Sequence, residues 1–388
     1  MPIKHLLLLI APMILSAAPD FSQAFKVPKT YPTEAIEFAF EVAEGVRPVL
    51  YEGENYQGKP TQVFAWYGVP QTGKAPYPAI VLVHGGGGTA FAEWVRRWNE
   101  RGFAAIAMDL NGSIPIEDFE NPQPPHRHFP GGAVVNNLNP QDPIEEQWAF
   151  YSISAIIRAH SLLLSFSEID KKHIGITGIS WGGWLTSLTV GYDHRFCYAA
   201  SVYGCGYLNE GGLTRTVKPL AKLSPELQQK WFDTWNPAAC LAKAKMPIFM
   251  VNDCDDAAYP LASWIKTYHE AKPIAAFISQ TFGHNHNEGD RPEVLRFAKA
   301  KCGLATMPPT FSNFKIVGNE ISVDFTGGKP PYSAEAIYTT QQYRGEKRAW
   351  IAVQAKINGN HISATLPEGV IFAFINLTDA EGTVSALE

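Results

Sequence analysis

Residues 174–184 decide the fold: Ile174-Gly175-Ile176-Thr177-Gly178-Ile179-Ser180-Trp181-Gly182-Gly183-Trp184. The run opens as a short strand of buried type, and a helical segment follows the glycines. A G-x-S-x-G pattern between a strand and a helix describes a sharp turn that lifts the serine hydroxyl above a sheet. The glycines on either side let neighbouring backbone approach closely. The helix that follows presents N–H groups to any negative charge developing beside the serine. Ser180 is therefore a candidate nucleophile, and the N–H of Trp181 a candidate donor to an oxyanion. Five-residue patterns recur by chance, so the surroundings carry the weight.

Those surroundings alternate between strand and helix from about Val46 to Cys302. Val46 to Tyr51 and Thr61 to Tyr67 form a leading hairpin. Apolar runs follow at Ala79–Val83, Phe103–Met108, Ile174–Thr177, Tyr198–Tyr203, Ile248–Val251 and Ala275–Ser279. Continuous runs of this kind suit parallel strands covered on both faces. Phe91 to Arg101 reads as a helix closed by Gly102. Asp142 is placed to cap another, with Pro143 and Glu145 in its first turn, running through Trp148 to about Leu164. The expected class is α/β with a mostly parallel sheet. Ligands of such sheets bind at the carboxyl ends of the strands.

Three further motifs fall at strand ends. His84-Gly85-Gly86-Gly87-Gly88 follows the Ala79–Val83 run. Glycines expose backbone N–H groups, and an HGGG-type loop supplies one oxyanion donor, expected from Gly86 or Gly87. A nucleotide-binding reading fails, because neither G-x-G-x-x-G nor a Walker lysine is present. His84 is expected to brace the loop. After Ile248–Val251 come Asp253, Asp255 and Asp256, any of which suits the carboxylate that orients a catalytic histidine. After the last strand come His284 and His286, either of which suits a general base. A zinc site built from this pair with Asp253 or Asp255 is a minor rival. No metal and no cofactor are expected.

Composition bounds the rest. The chain has 388 residues, 46% hydrophobic and 18% charged, with a net charge of −5. This excludes a mainly disordered chain. The absence of a polybasic block speaks against nucleic-acid partners. Five cysteines are too few for a disulfide scaffold, and an odd number leaves a thiol over; no pairing is assigned. Lys4, the apolar run Leu6–Leu15 and Ser22-Gln23-Ala24 read as an export leader over residues 1–24, with a weaker cleavage site at Ser16-Ala17-Ala18. The run is too short to span a membrane. A secreted or periplasmic location follows, with no membrane attachment once the leader is removed. Residues 25–305 are expected to form the α/β unit. Short alternating runs and turn residues over 306–388 are expected to form a small sandwich-like all-β domain.

With HGGGG, GISWGG, an Asp loop and a GH loop in this chain order, residues 46–302 resemble the α/β-hydrolase superfamily. The detail is most similar to the acetylxylan esterase, cephalosporin-C deacetylase and dienelactone hydrolase group, which borders the prolyl-oligopeptidase-like enzymes. The resemblance implies an acid loop in which Asn252 through Pro260 places Asp256 at the acid position, although Asp253 stands where Gly is usual. It implies His284 as base, with His286 as runner-up and Asp253 and Asp255 as alternates to Asp256. It further implies ester hydrolysis through Ser180, on a small-molecule or polysaccharide ester. A serine peptidase is the alternative reading, and an inactive binding protein a third. Residues 111–141 are expected to wall the site, and Tyr203 and Trp148 to line the substrate.

Overall fold

The computed structural model describes residues 18–116, 126–210, 217–280, 283–342 and 347–387. Most of the expected leader, residues 1–17, therefore lies outside the described residues.

The chain enters through a short turn at Ser22–Phe25 and builds strands β1 (Thr30–Tyr31), β2 (Val46–Glu52), β3 (Gln62–Gly68), β4 (Tyr77–Val83) and β5 (Ala104–Met108). A small hairpin, β6 (Ser113–Pro115) and β7 (His126–His128), precedes β8 (Ile169–Ile179), β9 (Tyr198–Val202), β10 (Ile248–Asp253) and β11 (Ala275–Ser279). The central sheet runs β1-β2-β3-β5-β4-β8-β9-β10-β11. Strands from β5 to β11 pair in parallel, and the β2–β3 hairpin adds antiparallel at one edge. Every residue of β5, β9, β10 and β11 is buried, as continuous apolar runs require.

Helices cover the sheet: α1 (Ala92–Glu100), α2 (Trp148–Leu163), α3 (Trp181–Thr189), α4 (Pro225–Thr234), α5 (Pro237–Leu241), α6 (Leu261–Ala271) and α7 (Pro292–Lys301). α2, α3, α5 and α6 pack in a row. Arg97 of α1 and Arg101, the residue after the helix, pair with Asp290, just before α7. Gly102 ends α1 at φ +91°, a conformation that favours glycine. The Asp142 cap does not form. Pro143 leads only into a short turn at Ile144–Glu146, and extended Gln147 separates it from α2. The Asp142 carboxylate instead accepts the Asn137 amide, while the Gln147 side chain accepts the buried Trp235 indole N–H.

The C-terminal part forms two antiparallel four-stranded sheets. Their strands are β12 (Thr310–Val317), β13 (Glu320–Thr326), β14 (Ser333–Thr339), β15 (Ile351–Gln354), β16 (Lys356–Asn358), β17 (His361–Thr365), β18 (Phe372–Asp379) and β19 (Gly382–Ala386). One sheet is β12-β13-β17-β16 and the other β15-β14-β18-β19. In β18, Ala373, Ile375 and Leu377 point between the two sheets, whereas Phe374 joins the core of the α/β part. β18 is thus packed on both faces. In the same sheet, β19 covers the edge strand β11, where the Ile278 N–H donates to Ser385 Oγ at 2.8 Å. That contact satisfies a donor on an otherwise open sheet edge.

The first described turn is also core. Phe21 stacks on Phe150 at 4.8 Å, Ala24 is fully buried, and Ser161 Oγ donates to the Ala24 carbonyl. A leader ending at Ala24 would cut through this packed turn.

Candidate active site

The carboxyl ends of β4, β8, β9, β10 and β11 converge, and each contributes one piece of the site. At the end of β8, Ser180 sits at φ +57°, ψ −120° and caps α3. That strained conformation marks a turn over-determined by its surroundings. The surroundings are glycines. A Cβ on Gly182 would collide with the Val83 carbonyl, and one on Gly183 with the Val202 carbonyl. Ser180 N–H donates to the Val202 carbonyl at 2.9 Å, anchoring the turn to β9.

Loops after β10 and β11 bring the acid and the base. His284 Nε2 lies 2.8 Å from Ser180 Oγ, and its Nδ1 lies 2.6 Å from Asp256 Oδ2. A carboxylate only accepts, so Nδ1 carries the proton and the Ser180 hydroxyl donates to Nε2. The Asp256 side chain is 0% exposed, while that of His284 is 34% exposed. Asp256 Oδ1 also accepts the N–H groups of Ala258 and Tyr259, both at 2.7 Å, which hold the carboxylate in one orientation. The Asn252 amide donates to the Tyr259 carbonyl and closes this loop.

The other candidates occupy different places. Asp253 accepts the N–H of Asp255 at 2.9 Å and that of Gly283 at 3.3 Å, tying the acid loop to the base loop. Burial pushes its carboxyl up, those two N–H groups draw it down, and the charges of Asp256 and Asp255 raise it again, leaving it above its ordinary value. Asp255 is paired with Arg348 at 2.7 Å instead of with His284. His286 accepts the Gly85 N–H at 3.1 Å and packs on Phe91. His286 is on the glycine loop, Asp255 on Arg348 and Asp253 on the Asp255 and Gly283 N–H groups, and among the described residues no three His, Cys, Asp or Glu side chains gather as metal ligands. Two thiols lie nearby, Cys205 and Cys254, and burial pushes both well up, so neither is a thiolate.

Around the glycine loop, His84 Nε2 accepts the Leu110 N–H at 3.0 Å, which leaves the proton on Nδ1, facing the Gly85 carbonyl at 2.8 Å. Gly88 N–H donates to the Gly85 carbonyl. Gly86 and Gly87 are exposed, and their N–H groups have no acceptor among the described residues. Gly86 is seated against the Trp181 ring, where a Cβ would strike it. Trp181 is the first residue of α3, so its N–H is a helix-terminal donor without an acceptor inside the helix.

Tyr203 corrects an expectation. It is fully buried, so it does not line a substrate surface. Its ring stacks on His284 at 4.5 Å and its hydroxyl donates to the Gly283 carbonyl. Trp148 is half-buried, 5.1 Å edge-on to Trp181, in a row that continues through Trp184 to Trp231. Of the expected wall, residues 117–125 lie outside the described residues. Gly131, near its other end, is tied to β3 by its carbonyl, which accepts the Gln62 N–H at 2.7 Å. Arg348 was not legible in the sequence: no motif surrounds it, and its partner lies 93 positions away.

Two family models match the chain. That for acetyl xylan esterase matches residues 23–210, and that for the prolyl oligopeptidase family residues 141–284. The first covers the glycine loop and the serine turn, the second the serine turn through His284. Among solved structures, an acetyl xylan esterase from Paenibacillus sp. R4 is 19% identical, with a TM-score of 0.51, over 70% of this chain and 87% of that one. Acetyl Xylan Esterase 1 from Thermoanaerobacterium sp. JW/SL YS485 is 15% identical, with a TM-score of 0.55, over 73% of this chain and 94% of that one. An acylaminoacyl peptidase from Pyrococcus horikoshii is 18% identical, with a TM-score of 0.51, over 67% of this chain and 42% of that one. At these identities the structural likeness shows a shared fold, that of α/β hydrolases. Together with the family models it supports a hydrolase of the esterase kind.

Proposed function

We propose that this chain, an α/β-hydrolase by fold, is an exported serine esterase that removes small acyl groups, acetyl foremost, from carbohydrate. The observation that carries the reading is the continuous line Ser180 Oγ–His284–Asp256, at 2.8 and 2.6 Å. In it Ser180 attacks the ester carbonyl as His284 takes its proton, forming a tetrahedral oxyanion. N–H groups of Trp181 and of Gly86 or Gly87 hold that charge; one such donor is typically worth about 10²–10³ in turnover. His284 then returns the proton to the leaving alcohol oxygen, and an acyl-Ser180 ester remains. A water molecule, deprotonated by His284, attacks it and releases the acid. Asp256 holds the Nδ1 tautomer and stabilises the imidazolium.

The carbohydrate assignment rests on the acetyl xylan esterase model and on the aromatic shelf of Trp148 and Trp181 beside the serine turn, since flat rings suit sugar faces. A peptidase is the second reading, favoured by the prolyl oligopeptidase match over residues 141–284.

The test compares the wild type with Ser180→Ala on p-nitrophenyl acetate, acetylated xylan and dipeptide amides. Wild type is expected to release acetate from both esters, and the variant to lose about 10⁴-fold or more in kcat. Retained hydrolysis in the variant would remove Ser180 from its role. Amide cleavage without ester preference would replace the esterase with the peptidase.

A further inference from the structure

The acid loop is gripped from outside the α/β unit. Asp255, the neighbour of Asp256 in the chain, has a side chain only 7% exposed. Its partners come from the segment between β14 and β15. Arg348 Nε donates to Oδ1 at 2.7 Å, the Arg348 backbone N–H to Oδ2 at 3.0 Å, and the Trp350 indole N–H to Oδ2 at 3.0 Å. Arg348 Nη2 donates to the Cys254 carbonyl at 2.6 Å, and its guanidinium lies 4.8 Å over the Trp350 ring. On its other side the loop is pinned to β11, the Cys254 N–H donating to the Ser279 carbonyl at 2.8 Å. Charge-assisted bonds from a planar guanidinium fix orientation as well as distance. Neither matching family model extends to this segment.

We infer that Arg348 is a positioning residue for hydrolysis: through Asp255 and the Cys254 carbonyl, the C-terminal sheets set where Asp256 meets His284. This rests on the triad reading above. The mechanical case is that a catalytic group must be held within about 0.5 Å of its productive place. A cavity of about 70 Å³, lined by Cys254, Asp255, Asp256, Leu261 and Arg348 among others, lies beside the loop. Removing the guanidinium enlarges that space and leaves the Asp255 carboxylate buried without its countercharge. The loop then has both room and reason to move, and Asp256 moves with it.

The experiment measures p-nitrophenyl acetate hydrolysis across pH for the wild type, Arg348→Ala, Arg348→Lys, Trp350→Phe, Asp255→Ala and the Arg348→Ala/Asp255→Ala double variant. Arg348→Ala is expected to lose about 10- to 100-fold in kcat with KM within about twofold, the pattern of a lost transition-state interaction. Its acid limb is expected at lower pH, because an imidazolium less stabilised by Asp256 gives up its proton more readily. His284 otherwise faces Ser180, Tyr203 and Tyr259, and the chain near it carries Asp253; none of these is changed. Arg348→Lys keeps the charge and is expected to recover part of the loss. Trp350→Phe, which removes one donor, is expected to fall a few-fold. Removing Arg348 is expected to cost less in the Asp255→Ala background than in the wild type, because only its bond to the Cys254 carbonyl is left to lose. A lower melting temperature with unchanged kcat and an unmoved acid limb would reduce Arg348 to a structural tie and overturn the inference. If Arg348→Ala does not fold, the lysine and Trp350 variants decide on the same criteria. An inactive wild type that also resists fluorophosphonate labelling overturns the esterase reading instead, so the two failures are distinct.

Discussion

His284 and His286 stand two positions apart and do different work. The chain turns between them, with Asn285 as the extended cap of a short 3-10 turn that starts at His286, so one ring reaches Ser180 while the other accepts the Gly85 N–H. The chemistry of the two substitutions should therefore differ in kind. His284→Ala removes the proton acceptor and is expected to lower kcat by about 10⁴–10⁶. His286→Ala leaves the proton path whole but frees the glycine loop. About a tenfold loss in kcat is expected, with the acid limb of the pH profile unmoved. Steady-state pH profiles of both variants check this; equal losses would mean that His286 takes part in proton transfer. Tyr203 carries a similar lesson. Its position after a strand end suggested a wall for substrate, yet burial makes it a support beneath the base.

At the level of elements, the serine turn is a junction of β4, β8, β9 and α3, and its glycines are required by backbone carbonyls on neighbouring strands. The entry turn Ser22–Phe25 is a less expected element. Phe21 packs edge-on to Tyr192 as well as on Phe150. A chain beginning at Phe25 loses that buried ring and is expected to be less stable by about 3 kcal/mol. Denaturant melts of chains starting at Pro19 and at Phe25 measure the difference, and equal stability would show the turn to be dispensable. Should the chain be exported as proposed above, mass spectrometry of the released protein is expected to find an N terminus before Phe21.

Across the whole molecule, the two parts share one apolar cluster that includes Ile337, Phe374, Val384 and Leu387. They also share a buried ion pair, Arg296 of α7 with Asp379 of β18 at 2.7 Å. Burial pushes the Asp379 carboxyl up, but Arg296 and the N–H groups of Glu381 and Lys329 outweigh it, and the group lies below its ordinary value. A depressed carboxyl stabilises the fold above its unfolded value, near about 3.9, and that contribution is lost as pH falls through the lower folded value. Asp379→Asn removes the nearer of two carboxylates beside the buried guanidinium, Glu381 staying at 3.8 Å, and is expected to cost about 3 kcal/mol at pH 7. The gap to wild type should narrow below about pH 4, as wild type takes up the proton. Unfolding measured at pH 7, 5 and 3 checks this; a constant gap would separate Asp379 from the acid response.

By itself the chain order of motifs determined the α/β class, the strands that carry the site and the residues that approach one another there. Those signals are local: apolar runs, glycines at turns, a serine between a strand and a helix. Even the choice of Asp256 among three aspartates needed a family resemblance, because adjacent loop residues differ in direction and not in composition. Tertiary structure alone decided what holds the site in place. Arg348 reaches Asp255 across 93 positions, Ser385 covers Ile278, and Gln147 gives up its helix to accept Trp235. The last strand, Gly382–Ala386, is short and polar enough to read as a tail until it packs on β11. Each of these depends on a partner distant in sequence, and the free energy of such a contact exists only once the chain has brought both groups out of water together.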